Sequence, residues 1–245
     1  MKHAPLTGLQ TTNLNKAFAG RSVVHSFSCR FARGEIVALL GANGAGKSTL
    51  FSLITGVLRP DSGHVTLDGA NISDLPLFAR AALGISYLPQ NNSVFRGMSV
   101  EDNIMVYLEA CEPDRQERHR KLDALLAEFG LTEHRRQKAT KLSGGQRRRC
   151  ELARAMATDP TYLLLDEPFA GVDPVAVQQA QTIFRNLSRR GVGIVVSDHN
   201  ITDTLEMADR AYVIDSGHML AEGTPREIVA HPKVRSLYLG NAFSL

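Results

Sequence analysis

The fold of this chain is decided by residues 36–48, which read Ile36-Val37-Ala38-Leu39-Leu40-Gly41-Ala42-Asn43-Gly44-Ala45-Gly46-Lys47-Ser48. The first five residues form a short apolar run, which is typical of a strand buried on both faces of a parallel sheet. The next eight fit the pattern GxxxxGK[ST], and we predict a helix from Lys47 to about Thr55. This strand, glycine-rich turn and helix indicate an α/β protein.

The glycine-rich turn is a candidate phosphate site. Its glycines let backbone N–H groups close around phosphate groups, and the helix N-terminus adds a favourable dipole. We predict that Lys47 reaches the β- and γ-phosphates of ATP and that Ser48 ligates magnesium. The predicted nucleotide-binding residues here are Gly41, Asn43, Gly44, Ala45, Gly46, Lys47, Ser48 and Thr49. The alternative is a glycine turn that only caps a helix, and the Lys-Ser pair after a strand argues against it.

Outward from this turn, apolar strands alternate with helices. Predicted strands cover residues 8–14, 22–31, 35–40, 65–67, 162–166 and 193–197, and predicted helices cover 114–129, 144–157 and a stretch from Asp173-Pro174 to Gly191. Such alternation implies a parallel sheet covered by helices. The mostly helical stretch from about Gln90 to Lys138 interrupts the alternation and is most simply an inserted subdomain. Near the end, Thr224-Pro225-Arg226-Glu227 predicts a capped helix start.

Two acids close the apolar run Tyr162-Leu163-Leu164-Leu165-Asp166-Glu167. Asp166 can hold magnesium at the strand end, and the adjacent Glu167 can polarise an attacking water. Because two acids at a strand end are common, this pattern gains its meaning from the phosphate-binding turn earlier in the chain. Together the two motifs predict binding and hydrolysis of ATP with magnesium.

A second candidate anion site is Leu142-Ser143-Gly144-Gly145-Gln146, at the head of a predicted helix. Serine and two glycines present backbone N–H groups and a hydroxyl at the positive end of a helix. Since the chain already has one phosphate-binding turn, we predict that this site faces the γ-phosphate held by another copy. The alternative is a helix N-cap with a flexible start.

The motifs form an ordered set along the chain: the phosphate-binding turn, Gln90, LSGGQ at 142–146, LLLDEP at 163–168, Gly171-Val172-Asp173 and His199. This set resembles the nucleotide-binding subunits of ABC transporters over nearly the whole chain. The resemblance implies an α/β fold, namely a P-loop NTPase with a RecA-like core, an N-terminal antiparallel β-subdomain and an inserted α-helical subdomain. It also implies a division in which residues 1–89 and 159–245 form the core and β-subdomain, and about 90–158 the helical subdomain.

The same resemblance implies catalytic roles for Glu167, His199 and Gln90. Magnesium would contact Ser48, Gln90 and Asp166, and Gln90 would also signal to a transmembrane partner. His199 would contact the γ-phosphate and hold Glu167 in place. From the residues alone, a lone histidine after an apolar run is more often structural than functional.

Across a sandwich homodimer, the resemblance implies that Ser143, Gly145 and Gln146 contact the ATP of the partner chain and that Asp173 bridges the interface. Phe18 stands where the family places an aromatic ring that stacks on adenine. Many members carry Tyr there, and Phe keeps the stacking face but loses the hydroxyl. A core phenylalanine is the alternative for this position.

Composition sets the broad class. With 245 residues, 43% hydrophobic and 22% charged residues, and a formal charge of +3, the chain has the composition of an ordinary globular protein. Its three cysteines lie far apart, which argues against a zinc site or a disulfide framework and fits a reducing cytosol. The N-terminus lacks an apolar signal region, and no apolar run approaches the roughly 20 residues that span a bilayer. A membrane role must therefore come through partners.

Within the family, the chain is most similar to the ATPase subunits of bacterial lipopolysaccharide exporters. The segments that carry this resemblance are 93–96, 99–103, 144–149, 166–174, 197–200 and the tail 234–245. Two positions depart from the pattern, Gln146 where glutamate is found in those members, and Phe18. Branched-chain amino-acid importers look similar over the same core. A soluble ABC protein acting on nucleic acid is disfavoured by the single cassette, and a binder without hydrolysis by Glu167 and His199.

The exporter resemblance implies partners. It predicts a homodimer that docks on two transmembrane permease subunits of the LptF and LptG type, on the cytoplasmic face of the inner membrane, with no nucleic acid partner. Phe95 and Arg96 follow Gln90 closely, and an aromatic beside an arginine is typical of an interface anchor. The alternative is that Phe95 packs inside the helical subdomain.

Overall fold

The computed structural model describes residues 7–91, 93–170 and 172–239. Its centre is a six-stranded sheet in the order β10-β9-β3-β8-β7-β6. The strands are β3 (Ile36–Leu40), β6 (Ile85–Leu88), β7 (Tyr162–Asp166), β8 (Gly193–Ser197), β9 (Arg210–Asp215) and β10 (His218–Gly223). All neighbours pair in parallel except the hairpin of β9 and β10 at one edge. The predicted α/β class is confirmed.

A second, antiparallel sheet covers one face of the first. It runs in the order β2-β1-β4-β5, with β1 (Leu9–Phe18), β2 (Arg21–Phe31), β4 (Ser62–Leu67) and β5 (Ala70–Asn71). Every residue of β3, β7 and β8 is buried because helices cover the other face. The predicted N-terminal antiparallel sheet is therefore present, and β3 and β8 lie at the centre of the six-stranded sheet, with β7 next to β8.

Nine α-helices surround the sheets in the described part of the chain. They are α1 (Lys47–Thr55), α2 (Leu77–Ala82), α3 (Val100–Cys111), α4 (Arg115–Glu128), α5 (Gly144–Met156), α6 (Pro174–Arg189), α7 (Ile201–Met207), α8 (Pro225–Ala230) and α9 (Pro232–Val234). A π-helical turn, Arg235–Leu239, follows α9. None of the helices within the described ranges is long and apolar enough to cross a membrane.

Several helices begin at residues whose side chains cap them. Asp173 accepts a hydrogen bond from the Ala176 N–H and Pro174 occupies the first turn of α6, as predicted. Thr224 and Glu227 form the predicted capping box of α8. The helices α3, α4 and α5 fill most of residues 100–156, as expected of a helical insert. The assignment of residues 90–158 to a separate subdomain stays a prediction.

Several elements differ from the expectations. The strand β1 extends to Phe18, four residues beyond its predicted end, and β6, β9, β10, α2 and α7 were not predicted. The edge strand β10 is only half-buried or exposed along its length, so it lacks the apolar signal of β7 and β8. Gly171 of the predicted Gly-Val-Asp motif and residues 240–245 of the predicted tail lie outside the described residues.

Candidate nucleotide site

The turn between β3 and α1 is shaped by close backbone packing. A Cβ atom on Gly41 would lie 2.3 Å from the carbonyl oxygen of Ile214, and one on Gly46 would lie 2.8 Å from that of Val23. Gly46 is the N-cap of α1 with a φ of 112°, and no side chain caps the helix. The N–H groups of the first turn are thus left to a ligand at the positive helix end.

Lys47 lies at the centre of this turn and is 5% exposed. Its ammonium group donates hydrogen bonds to the carbonyl oxygens of Gly41 at 2.7 Å and Ala42 at 3.1 Å. Burial lowers the pKa of Lys47, while the nearby carboxylates of Glu167 and Asp166 oppose that shift. A buried ammonium held only by carbonyl groups is ready to exchange them for phosphate oxygens.

Asp166 ends β7 beneath the turn and is 2% exposed. The Ser197 hydroxyl donates to its Oδ1 at 2.5 Å, and the Tyr87 hydroxyl lies 3.4 Å from its Oδ2. Burial and the adjacent Asp166 raise the pKa of Tyr87, so the phenol stays a donor. These two neutral donors orient the carboxylate without neutralising its charge.

Glu167 follows in a left-handed backbone conformation, with a φ of 45°. Its N–H donates to the carbonyl oxygen of Ser197 at 2.8 Å, which continues the pairing of β7 with β8. Its Oε2 accepts a hydrogen bond of 2.6 Å from Nε2 of Gln90 and lies 3.8 Å from Nδ1 of His199. The same Nδ1 lies 3.4 Å from Oδ1 of the buried Asp198. The three predicted catalytic side chains therefore lie in one cluster.

Most of the predicted site residues line one cavity of about 520 Å³. It is lined by Val23, Asn43, Gly44, Gly46, Lys47, Ser48, Thr49, Gln90, Glu167 and His199. Gly41, Ala45 and Asp166 are not among the residues that line this cavity; Ala45 lines a neighbouring cavity together with Asn43 and Gly44. Val23 was not predicted, because a half-buried valine in a strand carries no functional signal of its own; its position in β2 brings it to the cavity.

The signature residues do not line this cavity. The Ser143 hydroxyl accepts from the Gln146 N–H, and the Gln146 side chain caps the Ser143 N–H, which forms a capping box at α5. A Cβ on Gly145 would lie 3.1 Å from the Ala176 side chain, so only glycine packs well beside α6. Nε2 of Gln146 contacts Nε2 of His134 at 2.9 Å. Within one chain these residues thus do not reach the phosphate-binding turn.

The residues present fit a magnesium ion held largely by phosphate. Among the described residues, no group of three or more His, Cys, Asp or Glu side chains could hold a metal. Ser48 and Asp166 provide a hydroxyl and a carboxylate, and Gln90, whose amide nitrogen contacts Glu167, keeps its amide oxygen for a ligand. Magnesium prefers oxygen ligands and retains water and phosphate ligands, so one carboxylate and two neutral donors suit it.

The predicted adenine-stacking residue, Phe18, ends β1 and is 44% exposed, so it is not a core side chain. The ammonium of Lys16 lies 5.7 Å from its ring centroid. It is not among the residues that line the phosphate cavity. Its ring face is available to stack on a planar ligand.

The predicted docking residues are at the surface. Phe95 is 42% exposed, which excludes the alternative that it packs in the interior, and Arg96 is exposed. The Arg154 guanidinium lies 5.1 Å from the Phe95 ring centroid. The buried Asn103 accepts from the Phe95 N–H at 2.8 Å and donates to its carbonyl at 3.1 Å. The apolar surface of α2, where Phe78 is 77% exposed, was not predicted.

The fold and the cavity together define a P-loop nucleotide-binding domain. Residues 24–170 match the family described as ABC transporter, and residues 218–244 match the family described as branched-chain amino acid ATP-binding cassette transporter. A probable ABC transporter ATP-binding protein of Azorhizobium caulinodans is 52% identical over 99% of this chain and 88% of its own length. The lipopolysaccharide export system ATP-binding protein LptB of Escherichia coli is 45% identical over 97% of this chain and 99% of its own.

Among solved structures, the ATP-binding cassette MJ1267 of an ABC transporter is 28% identical, with a TM-score of 0.88, over 96% of this chain and 100% of that chain. The chain belongs to the ABC transporter family as an ATP-binding subunit. It binds ATP and is an ATPase, and the predicted ABC ATPase fold is confirmed.

Proposed function

We propose that this chain is the ATP-hydrolysing subunit of a lipopolysaccharide exporter, attached to the cytoplasmic face of the inner membrane through transmembrane partners. The observation that carries the proposal is the 45% identity with LptB of Escherichia coli, which extends over 99% of that protein. The likeness therefore includes the helical region as well as the nucleotide site. The two permease partners are expected to be of the LptF and LptG type.

At the nucleotide site, the phosphate-binding turn and Lys47 hold the β- and γ-phosphates. Ser48, Gln90 and Asp166 would hold magnesium, which would neutralise charge on the phosphates. Glu167 accepts a proton from the attacking water, and the short hydrogen bond from Gln90 supports its placement. His199 lies 3.8 Å from Glu167 and is close enough to orient it and to donate to the γ-phosphate.

The site is complete only with a second chain. Ser143, Gly145 and Gln146 do not line the phosphate cavity of their own chain, and they stand at the N-terminus of α5, which is capped only by Ser143 and Gln146 among the described residues. A homodimer places this positive helix end on the γ-phosphate of the partner. Binding of two ATP molecules then closes the dimer, and hydrolysis reopens it. Asp173 lies beside Gly145, with its Oδ2 4.0 Å from a Cβ built there, and would contact the partner at the same interface.

Gln90 connects the chemistry to the partner. It contacts Glu167 inside the cavity, and Phe95 follows five residues later on the surface. Arg154 of α5 holds this segment by donating to the carbonyl oxygen of Ser93 at 2.7 Å. Movement at the γ-phosphate is thereby passed to a surface that holds an exposed aromatic ring and Arg96, which suits a short helix of a permease.

A branched-chain amino-acid importer is the second candidate. It is favoured by the match of residues 218–244 to the corresponding family. This match covers a short C-terminal piece, whereas the LptB relatives match nearly the full length, so we rank the importer second.

Depletion of the chain in its native host separates the two candidates. If the exporter proposal holds, newly made lipopolysaccharide accumulates in the inner membrane fraction, and uptake of labelled leucine is unchanged. Wild-type chain restores export and a Glu167→Gln chain does not. Normal delivery of lipopolysaccharide to the outer membrane, with loss of leucine uptake, would overturn the exporter assignment in favour of the importer.

A further inference from the structure

Residues 232–239 form a C-terminal segment that packs against the central sheet, close to the phosphate-binding turn. Val234 is 1% exposed and anchors α9 in an apolar cluster with Leu40 and Val213, against which Tyr238 also packs. The Tyr238 hydroxyl reaches Asp215, at the end of β9, and donates to its Oδ1 at 2.8 Å. This contact joins two parts of the chain that are 23 residues apart.

Asp215 begins the tight turn between β9 and β10, and this turn touches the phosphate-binding turn directly. The Gly217 N–H donates to the carbonyl oxygen of Ala45 at 2.9 Å. Ile214, which precedes Asp215, packs closely on Gly41: a Cβ atom built on Gly41 would lie 2.3 Å from the Ile214 carbonyl oxygen. The hairpin turn therefore supports the phosphate-binding turn near both of its ends.

The turn is held in place from two directions. From β2, the His25 N–H donates to the carbonyl oxygen of Gly217 at 2.9 Å, and the His25 and His218 rings stack with centroids 4.2 Å apart. From the C-terminal segment, Tyr238 provides the hydrogen bond to Asp215. The backbone conformation needs this support, because Ser216 has a left-handed φ of 48° that non-glycine residues disfavour.

We propose that Tyr238 is a positioning residue for ATP binding: through Asp215 it fixes the β9–β10 turn, which in turn fixes the backbone of the phosphate-binding turn. The inference rests on the proposed nucleotide site. It gives the C-terminal segment a role in the affinity for ATP, although no residue of that segment lines the phosphate cavity.

The protonation of Tyr238 favours a hydrogen bond to Asp215 that persists across the physiological pH range. Burial, and then the hydrogen bond to Asp215, raises the pKa of Tyr238 to about 12, while the backbone of Ala42 opposes the shift. The phenol therefore stays protonated and donating across the physiological range.

Tyr238→Phe tests the role of the hydrogen bond to Asp215, because it removes the hydroxyl and keeps the ring in its apolar cluster. We expect the Kd for ATP to rise about threefold to tenfold, as for the loss of one hydrogen bond, with kcat at saturating ATP changed less than about twofold. A purely structural defect would lower the active fraction, and so kcat, at unchanged Kd. Leu237→Ala, at a neighbouring exposed position, is the matched control and should leave both constants unchanged.

A double-mutant cycle identifies the path. Asp215→Ala should raise the Kd for ATP as much as Tyr238→Phe does, and the double variant should bind ATP no more weakly than either single variant. Asp215→Asn keeps a hydrogen-bond acceptor and should therefore retain most of the affinity for ATP. Additive losses, or an unchanged Kd in Tyr238→Phe, would overturn the proposal. Lys47→Ala tests the nucleotide site separately from the role of Tyr238. If this variant still binds ATP, the nucleotide site is misassigned. If it does not bind ATP, the site assignment holds and only the role of Tyr238 is in question.

Discussion

Glu167 shows how a single residue is fitted to its proposed role. Its φ of 45° is unfavourable for a residue with a Cβ, by an amount on the order of 1–3 kcal/mol. The structure stabilises this conformation with the Glu167 N–H bonded to Ser197 and the carboxylate bonded to Gln90. Since strain of this kind is found at active sites, it supports the assignment of Glu167 as the general base.

Glu167→Gln is expected to bind ATP normally and to lose turnover by about 100-fold or more, because an amide cannot accept the proton from water. The site can still close, so the variant should accumulate as an ATP-containing dimer. Size-exclusion chromatography with ATP and magnesium, together with phosphate release, measures both effects. Glu109→Gln, at an exposed position of α3, is the control for the loss of one charge. Near-normal hydrolysis in Glu167→Gln would refute the assignment.

At the scale of elements, the segment between β6 and α3 links the site to the surface. It has no regular structure between Gln90 and Val100 within the described residues, yet it is held by specific contacts. Glu151, which is fully buried, accepts from the Ser93 N–H at 2.5 Å, and Asn103 holds both backbone groups of Phe95. These contacts present the Phe95 ring to solvent in a fixed position, as an interface anchor requires.

Phe95→Ala should leave the melting temperature and ATP binding nearly unchanged, because the ring is already 42% exposed. It should weaken binding to the transmembrane partners by about 2 kcal/mol or more. Thermal unfolding and co-purification of the permease subunits on one variant measure both. Leu237→Ala removes a comparably exposed apolar side chain elsewhere and serves as control. A stability loss of about 3 kcal/mol, or undiminished co-purification with normal transport, would contradict the anchor role.

At the scale of the whole molecule, the signature helix and the phosphate cavity are separate features of one chain. The N-terminus of α5 carries no acidic residue in its first turn, and the Gly145 backbone packs against α6. The first turn of α5 therefore holds no carboxylate that would oppose an anion at this helix end. This arrangement supports two shared sites in a homodimer.

Two heterodimers with the same pair of substitutions test whether the sites are shared. When one chain carries Lys47→Ala and its partner carries Ser143→Arg, both lesions fall on one shared site, and the other stays intact and should enclose one ATP. When a single chain carries both substitutions beside a wild-type chain, each shared site has one lesion, and no ATP should be enclosed. ATP retained after gel filtration measures the difference. The opposite pattern would show that the signature acts within its own chain.

The sequence alone determined the parts of the fold that depend on local patterns. The bounds of β7, β8 and α1, and the caps of α6 and α8, follow from apolar runs, glycine, proline and N-cap residues that are close together in the chain. The phosphate-binding turn was predictable for the same reason, since strand, glycines and Lys47 are contiguous. Glu167 was indicated by its place beside Asp166 at the end of an apolar run, whereas recognition of Gln90 and His199 needed the family resemblance, because no local pattern marks them.

The tertiary structure decided what depends on contacts between distant residues. Gln90 and Glu167 are 77 positions apart, and their hydrogen bond exists only because β6 and β7 pair in parallel. The half-exposed strand β10 and the bond of Tyr238 to Asp215 carry no periodic apolar signal, so no local pattern predicts them. Side-chain exposure decided between core and surface for Phe18 and Phe95. Burial and pairing depend on which elements meet, and that is set by packing of the whole chain.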